Sequence, residues 1–382
     1  MPPRKEIMLV VGEASGDMHG ASLVKALMKR DPNLTFFGVA GDQLQQTNFE
    51  ALFTVSELTG MGLLELAGNI KNIVAAYRLL RRSLRTRRPS LLILIDFPEF
   101  NLRLARLAKN LGVPVLYYVS PQVWAWRRGR IRQIAQVVDK MAVVFPFEVE
   151  FYERHQMPVE FVGHPLLDVV RVSQEREPIL RELGLQKEKP VIALLPGSRR
   201  KEVAYHLPVM VAAATELNRL EQAQFFCVRA STLDRAELQK ELDRAGFVIP
   251  IVETGRYNAV NAADLVWAAS GTATLETALL EKPMIVVYRV SSITYWLARL
   301  LVKIKYIGIA NIIAGKAIVP ELVQSDLTPE RLVHESLAIL NDHDARRTMT
   351  ANLRKLREQL GAPGAANRVA DLAMSLMASV RA

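Results

Sequence analysis

The 382-residue sequence carries a single cysteine, Cys227, which excludes an internal disulfide framework and any zinc site built from several cysteines. Its six histidines (His19, His155, His164, His206, His334 and His343) show no metal-ligand spacing, so no metal is expected. Long charge-free apolar runs are missing too. The best candidate, around 291–314, is cut by Arg299, Lys303 and Lys305, which excludes a membrane-spanning helix there. The first apolar run covers only residues 7–11, too short for a secretory signal, so a cytoplasmic protein is expected. No low-complexity tract and no repeat of roughly 20–50 residues is visible.

What is present points to an ordinary globular chain. Half of the residues are apolar, which is ample for packed cores and incompatible with general disorder. At about 100–200 residues per domain the length argues for two domains or three. The 49 Lys and Arg against 39 Asp and Glu give a net charge of +10 on a surface of mixed sign. That balance suits nucleic acid, an anionic membrane face or a phosphorylated substrate.

Short β-branched runs at 7–11, 34–39, 91–95, 113–119, 140–144 and 159–162 alternate with helical patterns. The alternation pauses over the polar segment 171–189 and restarts at 191–195, 224–228, 248–252, 265–268 and 284–288. Continuous apolar strands between helices predict parallel sheets covered on both faces. The expected fold is therefore α/β: two doubly wound, Rossmann-like domains facing each other across a cleft, 1–172 and 173–345, followed by helices over 346–382. Ligands of such sheets bind beyond the carboxyl ends of the strands. The unusual polar residues gather there: Glu13, Ser15, Asp17 and His19; Asp96, Glu99 and Asn101; Ser198, Arg199 and Arg200; and the run 270–276.

Each cluster has a chemical and a plainer reading. Gly12-Glu13-Ala14-Ser15-Gly16-Asp17 is a strand-to-helix turn whose amides could hold an anion. It lacks the third glycine of a dinucleotide fingerprint and the lysine of a P-loop. Its acids suit sugar hydroxyls better; a helix cap by Ser15 or Asp17 is the plainer reading. In Pro196-Gly197-Ser198-Arg199-Arg200-Lys201 the cations follow a strand, where Arg199 could pair with a diphosphate, or where a basic turn simply meets solvent. Ser270, Gly271, Thr272, Ala273 and Thr274 would let a pyrophosphate approach a helix N-terminus, with Glu276 accepting from ribose hydroxyls; a cap with a first-turn acid is the alternative. Asp96 could act as a general base on a hydroxyl nucleophile, or cap the following helix. His164 reads as structural and Cys227 as core.

The segment 63–88 is different in kind. Leu66, Ile70, Ile73, Tyr77, Leu80 and Leu84 recur at helical spacing, with Lys71, Arg78, Arg81, Arg82 and Arg85 on the adjoining face and no acid after Glu65. With the preceding apolar stretch that contains Leu63, this is the pattern of an element lying on a membrane surface, or of a core-facing stripe with a solvated basic edge. Trp124 and Trp126 with Arg127, Arg128, Arg130 and Arg132, and Tyr295-Trp296-Leu297 with Arg299 and Lys303, have a similar character.

The motifs Gly12-Glu13-Ala14-Ser15-Gly16-Asp17, Asp96-x-Pro98-x-Phe100-Asn101, Tyr118-Val119-Ser120-Pro121-x-Val123-Trp124-Ala125-Trp126, Phe161-x-Gly163-His164, Leu195-Pro196-Gly197-Ser198-Arg199 and 270–276 appear in that order. In this, and in the run 306–321 with Asn311, the chain resembles the lipid-A-disaccharide synthases. The resemblance covers residues 7 to about 325. It implies a GT-B type, inverting glycosyltransferase that needs no metal and no cofactor. Such an enzyme transfers 2,3-diacylglucosamine from UDP-2,3-diacylglucosamine to the 6-hydroxyl of 2,3-diacylglucosamine 1-phosphate, giving the β-1,6-linked disaccharide 1-phosphate and UDP.

The resemblance further implies that Asp96 and Arg199 form the essential polar pair, that 270–276 and Asn311 lie along the UDP, and that Glu13 lies near the sugar. It also implies C-terminal helices packing back on the N-terminal domain, and leaves room for a homodimer by exchange of C-terminal parts. Acylated substrates make anionic inner-membrane lipids the expected surface partner, peripherally at the cytoplasmic face, through Leu63, Leu66, Ile70, Ile73, Arg78, Arg81 and Arg82. Two departures stand out: Asp96-Phe97-Pro98-Glu99-Phe100-Asn101 where the family often has Asp-Ala-Pro-Asp-Phe-Asn, and Ile309-Ala310-Asn311-Ile312 where it commonly has Leu-Pro-Asn-Leu. Neither loses a functional group. The competing readings are a UDP-N-acetylglucosamine epimerase, the peptidoglycan N-acetylglucosaminyltransferase, and a nucleic-acid binder. The last lacks any RNA-recognition signature, and no nucleic-acid partner is expected.

Overall fold

A computed structural model describes residues 5–59, 66–121, 130–291, 295 and 305–379, with the side chains of residues 14, 59 and 66–69 excepted. The chain divides into two compact units, 1–165 with 360–382, and 166–359. The divisions expected at 172/173 and 345/346 thus fall at 165/166 and 359/360. Helix His343–Gln359 belongs to the second unit because its arginines and apolar face are used there, Arg354 and Arg357 pairing with Glu281.

The first unit is built on a seven-stranded sheet: β1 Glu6–Val11, β2 Thr35–Ala40, β3 Phe49–Thr54, β4 Leu91–Ile95, β5 Val115–Tyr118, β6 Lys140–Val143 and β7 Val159–Phe161. Their order is β3-β2-β1-β4-β5-β6-β7, and every pairing is parallel. Alternate residues face opposite sides. Met8, Val10, Leu92, Leu94 and Tyr117 meet helices Leu66–Arg87 and Pro98–Asn110, while Ile7, Leu9, Val11, Ile93 and Tyr118 meet helix Ala14–Arg30. That second face is completed by helix Ala365–Ser379, through Val369, Ala370, Ala373 and Met377. Arg30 and Asp371 pair along the seam.

The second unit has six parallel strands: β8 Val191–Leu195, β9 Gln224–Val228, β10 Ile251–Val252, β11 Leu265–Ala269, β12 Met284–Tyr288 and β13 Glu321–Val323, ordered β10-β9-β8-β11-β12-β13. Strands β1, β4, β5, β8, β11 and most of β12 are wholly buried apart from Glu6 and Tyr288, as runs of Val, Ile and Leu require when both faces are covered. Strand β3 escapes the apolar-run criterion because it is a partly exposed edge, and β13 because Pro320 and Glu321 break its apolar run.

Each sheet has one switch point, where the strand order reverses between the first strand of the unit and its neighbour. In the first unit that point lies between β1 and β4, whose last residues Val11 and Ile95 are in register. In the second it lies between β8 and β11, with Leu195 opposite Ala268. Among the described residues no helix is long and apolar enough to cross a membrane.

Candidate functional site

At the first switch point the chain leaves β4 through an elbow that L residues rarely adopt: Asp96 and Phe97 are both left-handed, with φ of 54° and 49°. Such residues cost about 1–3 kcal/mol each and persist only where the surroundings hold them. Here Asn101 donates through Nδ2 to the carbonyls of Ile95 at 3.3 Å and Asp96 at 2.7 Å. The Tyr117 hydroxyl donates to the same Asp96 carbonyl at 2.5 Å. Gly12 makes room for the elbow, since a Cβ there would stand 2.3 Å from Phe97 Cβ. The elbow therefore presents the Asp96 carboxyl beside the turn that carries Glu13. Burial, then the charge of Glu13, push the Asp96 pKa upward.

The neighbours of this pair have other duties. Asp17, expected near sugar hydroxyls, is buried and accepts from the amides of Gly41, Gln43 and Leu44 at 2.7–3.1 Å, capping a different turn. His19 is buried, with its pKa lowered to about 4, and His164 follows it down to about 3. Burial is the cause for both, and both are neutral at pH 7. Glu99 pairs with Arg130. Trp124, Trp126, Arg127 and Arg128 lie outside the described residues, as do Leu63 and residues 296–304.

At the second switch point Arg199 caps helix Arg200–Glu221, with its side chain 73% exposed. The Ser198 amide, beside a Gly197 expected with it to open backbone amides to an anion, instead donates to Glu202 Oε2 at 3.1 Å, as does the Arg199 amide at 3.3 Å. Glu202 also faces Arg199 Nη1 at 3.4 Å. Across the switch point, Gly271 has φ of 142° and open space where a Cβ would project, so the first turn of helix Thr272–Leu279 is accessible. The Thr272 and Ala273 amides there have no acceptor within their own helix. Ser270 donates to the carbonyl of Ile307 at 3.0 Å, keeping its lone pairs free to accept. Thr274 is buried and its hydroxyl is used by the Gly271 carbonyl. Glu276 is nearly buried and takes Arg256 Nη2 at 2.5 Å and the Tyr257 hydroxyl at 3.0 Å, both on Oε1. Burial raises its pKa against that pairing.

Asn311, expected along the nucleotide, is completely buried. Its amide binds the Ile318 and Val319 amides, the Val319 carbonyl and Glu321, so it braces the loop rather than reaching a ligand. Glu321 in turn accepts from the amides of Ile307 and Gly308 at 2.8 and 3.0 Å. Sequence reasoning missed this carboxylate, and missed His206, whose ring joins the Pro196 carbonyl to the Arg289 amide at 2.9 Å each. It also missed Tyr117 and Glu202. Only Glu202 left a readable trace, an acid three residues after a helix cap.

The apolar stripe of helix Leu66–Arg87 divides. Ala76, Leu80 and Leu84 are in the core and Ile73 and Tyr77 pack against it, so Ile73, expected at the lipid, is partly buried against the protein instead. Ile70 stays out at 62% exposure, with Val74 and Leu79, among the exposed Lys71, Arg78, Arg81, Arg82 and Arg85. Among the described residues no group of three His, Cys, Asp or Glu is arranged to hold a metal ion.

Comparison with known proteins places these features in context. The family model described as lipid-A-disaccharide synthetase matches residues 7–374. The lipid-A-disaccharide synthase of Syntrophus aciditrophicus is 45% identical over 98% of both chains. That of Geobacter metallireducens is 43% identical over 99% of both. Among solved structures, Acinetobacter baumannii MurG superposes with a TM-score of 0.60 at 16% identity, covering 98% of this chain and all of that one, a likeness of fold.

Proposed function

The chain belongs to the lipid-A-disaccharide synthetase family and is a glycosyltransferase, and from that premise we propose how its two switch points divide the work. The second unit takes the UDP of the donor sugar. Gly271, Thr272 and Ala273 offer amides to the diphosphate, and the exposed guanidinium of Arg199 neutralises it as it leaves. Glu202 keeps its hold on the 198–199 turn, and Glu276 offers its remaining oxygen toward the ribose. The first unit takes the acceptor, diacylglucosamine 1-phosphate. Asp96 accepts the proton of the 6-hydroxyl as that oxygen bonds to the anomeric carbon and the bond to UDP breaks. Glu13 lies beside it and keeps its pKa up.

The observation that carries this reading is the Asp96 elbow, a half-buried carboxylate with raised proton affinity on strained backbone at a switch point. Exposed Ile70, Val74 and Leu79 among five cations support docking of the same unit on anionic lipid at the inner face of the membrane. The test is UDP release from UDP-2,3-diacylglucosamine with and without diacylglucosamine 1-phosphate, in detergent and EDTA. Release that needs acceptor and survives chelation is expected. Release without acceptor would move the reading to the epimerase chemistry of the same fold.

A further inference from the structure

We infer that Tyr117 and Asn101 are positioning residues for the transfer, clamping the Asp96 carbonyl so that the Asp96 carboxyl is held at the acceptor; the inference rests on the reading of Asp96 as the base. Two consecutive left-handed residues leave the Ile95 and Asp96 carbonyls at a strand end with no helix amide to meet them. Asn101 reaches back from the following helix to bind both. Tyr117 comes from the neighbouring strand, where it is in register with Leu94, and its ring is wholly buried. A buried tyrosine hydroxyl needs a partner, and this one is spent on the elbow itself. The clamp thus brings two donors, one from the following helix and one from the neighbouring strand, to one carbonyl, on the residue whose side chain does the chemistry. Phe97, packed over Gly12, ties the same elbow to the turn bearing Glu13.

Tyr117→Phe removes one oxygen and keeps the ring, and Asn101→Ala removes the second arm. Both are assayed beside the parent and Asp96→Asn in the full chain, with circular dichroism and thermal midpoint as checks on folding. For Tyr117→Phe, kcat is expected to fall about tenfold to hundredfold while KM for the UDP-sugar stays within about twofold. The acid limb of the kcat profile is expected to move to lower pH, because a loosened carboxyl is better solvated. Asn101→Ala should shift both in the same direction. An unchanged kcat, or a lower kcat with an unmoved acid limb, overturns the clamp. If Asp96→Asn keeps the parent rate and limb, the base assignment fails and the clamp falls with it. If Asp96→Asn is inactive while Tyr117→Phe matches the parent, only the clamp fails.

Discussion

At a single carboxyl, Asp96, activity and stability are expected to part. Its pKa in the folded chain lies above the ordinary 3.8, through burial first and Glu13 second. The sign follows from linkage: such a group contributes fully to stability below its unfolded pKa and loses that contribution as pH rises through the folded one. At neutral pH the ionised carboxyl is therefore a load on the fold. Asp96→Asn is expected to lower kcat at least about a hundredfold, yet to melt at the parent temperature or higher at pH 7. A clearly lower melting temperature would mean that the carboxylate is structural. Activity should decline as pH falls through the raised pKa of Asp96, and Glu13→Gln should carry that decline to lower pH. At the other switch point, Arg199→Ala is expected to weaken UDP binding about tenfold or more in a calorimetric titration, since the side chain is largely exposed and its 3.4 Å contact with Glu202 leaves most of its donors for phosphate. Equal affinity for UDP would remove Arg199 from the site. The placement of Glu13, Asp96 and Arg199 just past strand ends was legible in the sequence, because strand ends of parallel sheets concentrate unusual polar residues. Asn311 was misplaced, because nothing in a motif tells whether an amide faces a ligand or its own backbone.

Helix Leu66–Arg87 shows what periodicity can and cannot tell. The 3.6-residue repeat found the helix and its apolar stripe. It could not say which side of the stripe was core, because an apolar face seeks a protein interior and a lipid interior alike. The packing decides: Leu80 and Leu84 are buried, Ile70 is not. Leu80→Ala is accordingly expected to cost about 2–5 kcal/mol in denaturant unfolding, while Ile70→Ser stays within about 0.5 kcal/mol. Reversing the charges of Arg78, Arg81 and Arg82 should release the protein from anionic vesicles in a sedimentation assay and leave activity in detergent intact. Binding to vesicles that survives the reversal would place lipid contact elsewhere. Strand β13 was missed for a different reason. Pro320 and Glu321 interrupt its apolar run, and its place in the sheet is fixed by Asn311 and Glu321 bracing the preceding loop.

For the molecule as a whole, parallel sheets were the easiest feature to read, since strands buried on both faces must be continuously apolar. The exact division of the chain was not, because helices His343–Gln359 and Ala365–Ser379 are both amphipathic and nothing in their composition says which unit each serves. The core assigns them: Ala373 and Met377 lie against the first sheet, at the side of Ile7 and Leu9. Ala373→Asp is expected to raise hydrogen exchange across helix Ala14–Arg30 while strand β8 keeps its protection. Loss of protection in β8 as well would contradict the assignment. The same arrangement bears on synthesis. The residues that close the first unit leave the ribosome after all of the second, so at roughly 5–20 residues per second the N-terminal sheet spends many seconds with one face unroofed. The middle of the chain is complete before the beginning is, and a cell must shelter that bare face for as long as translation takes to deliver its cover.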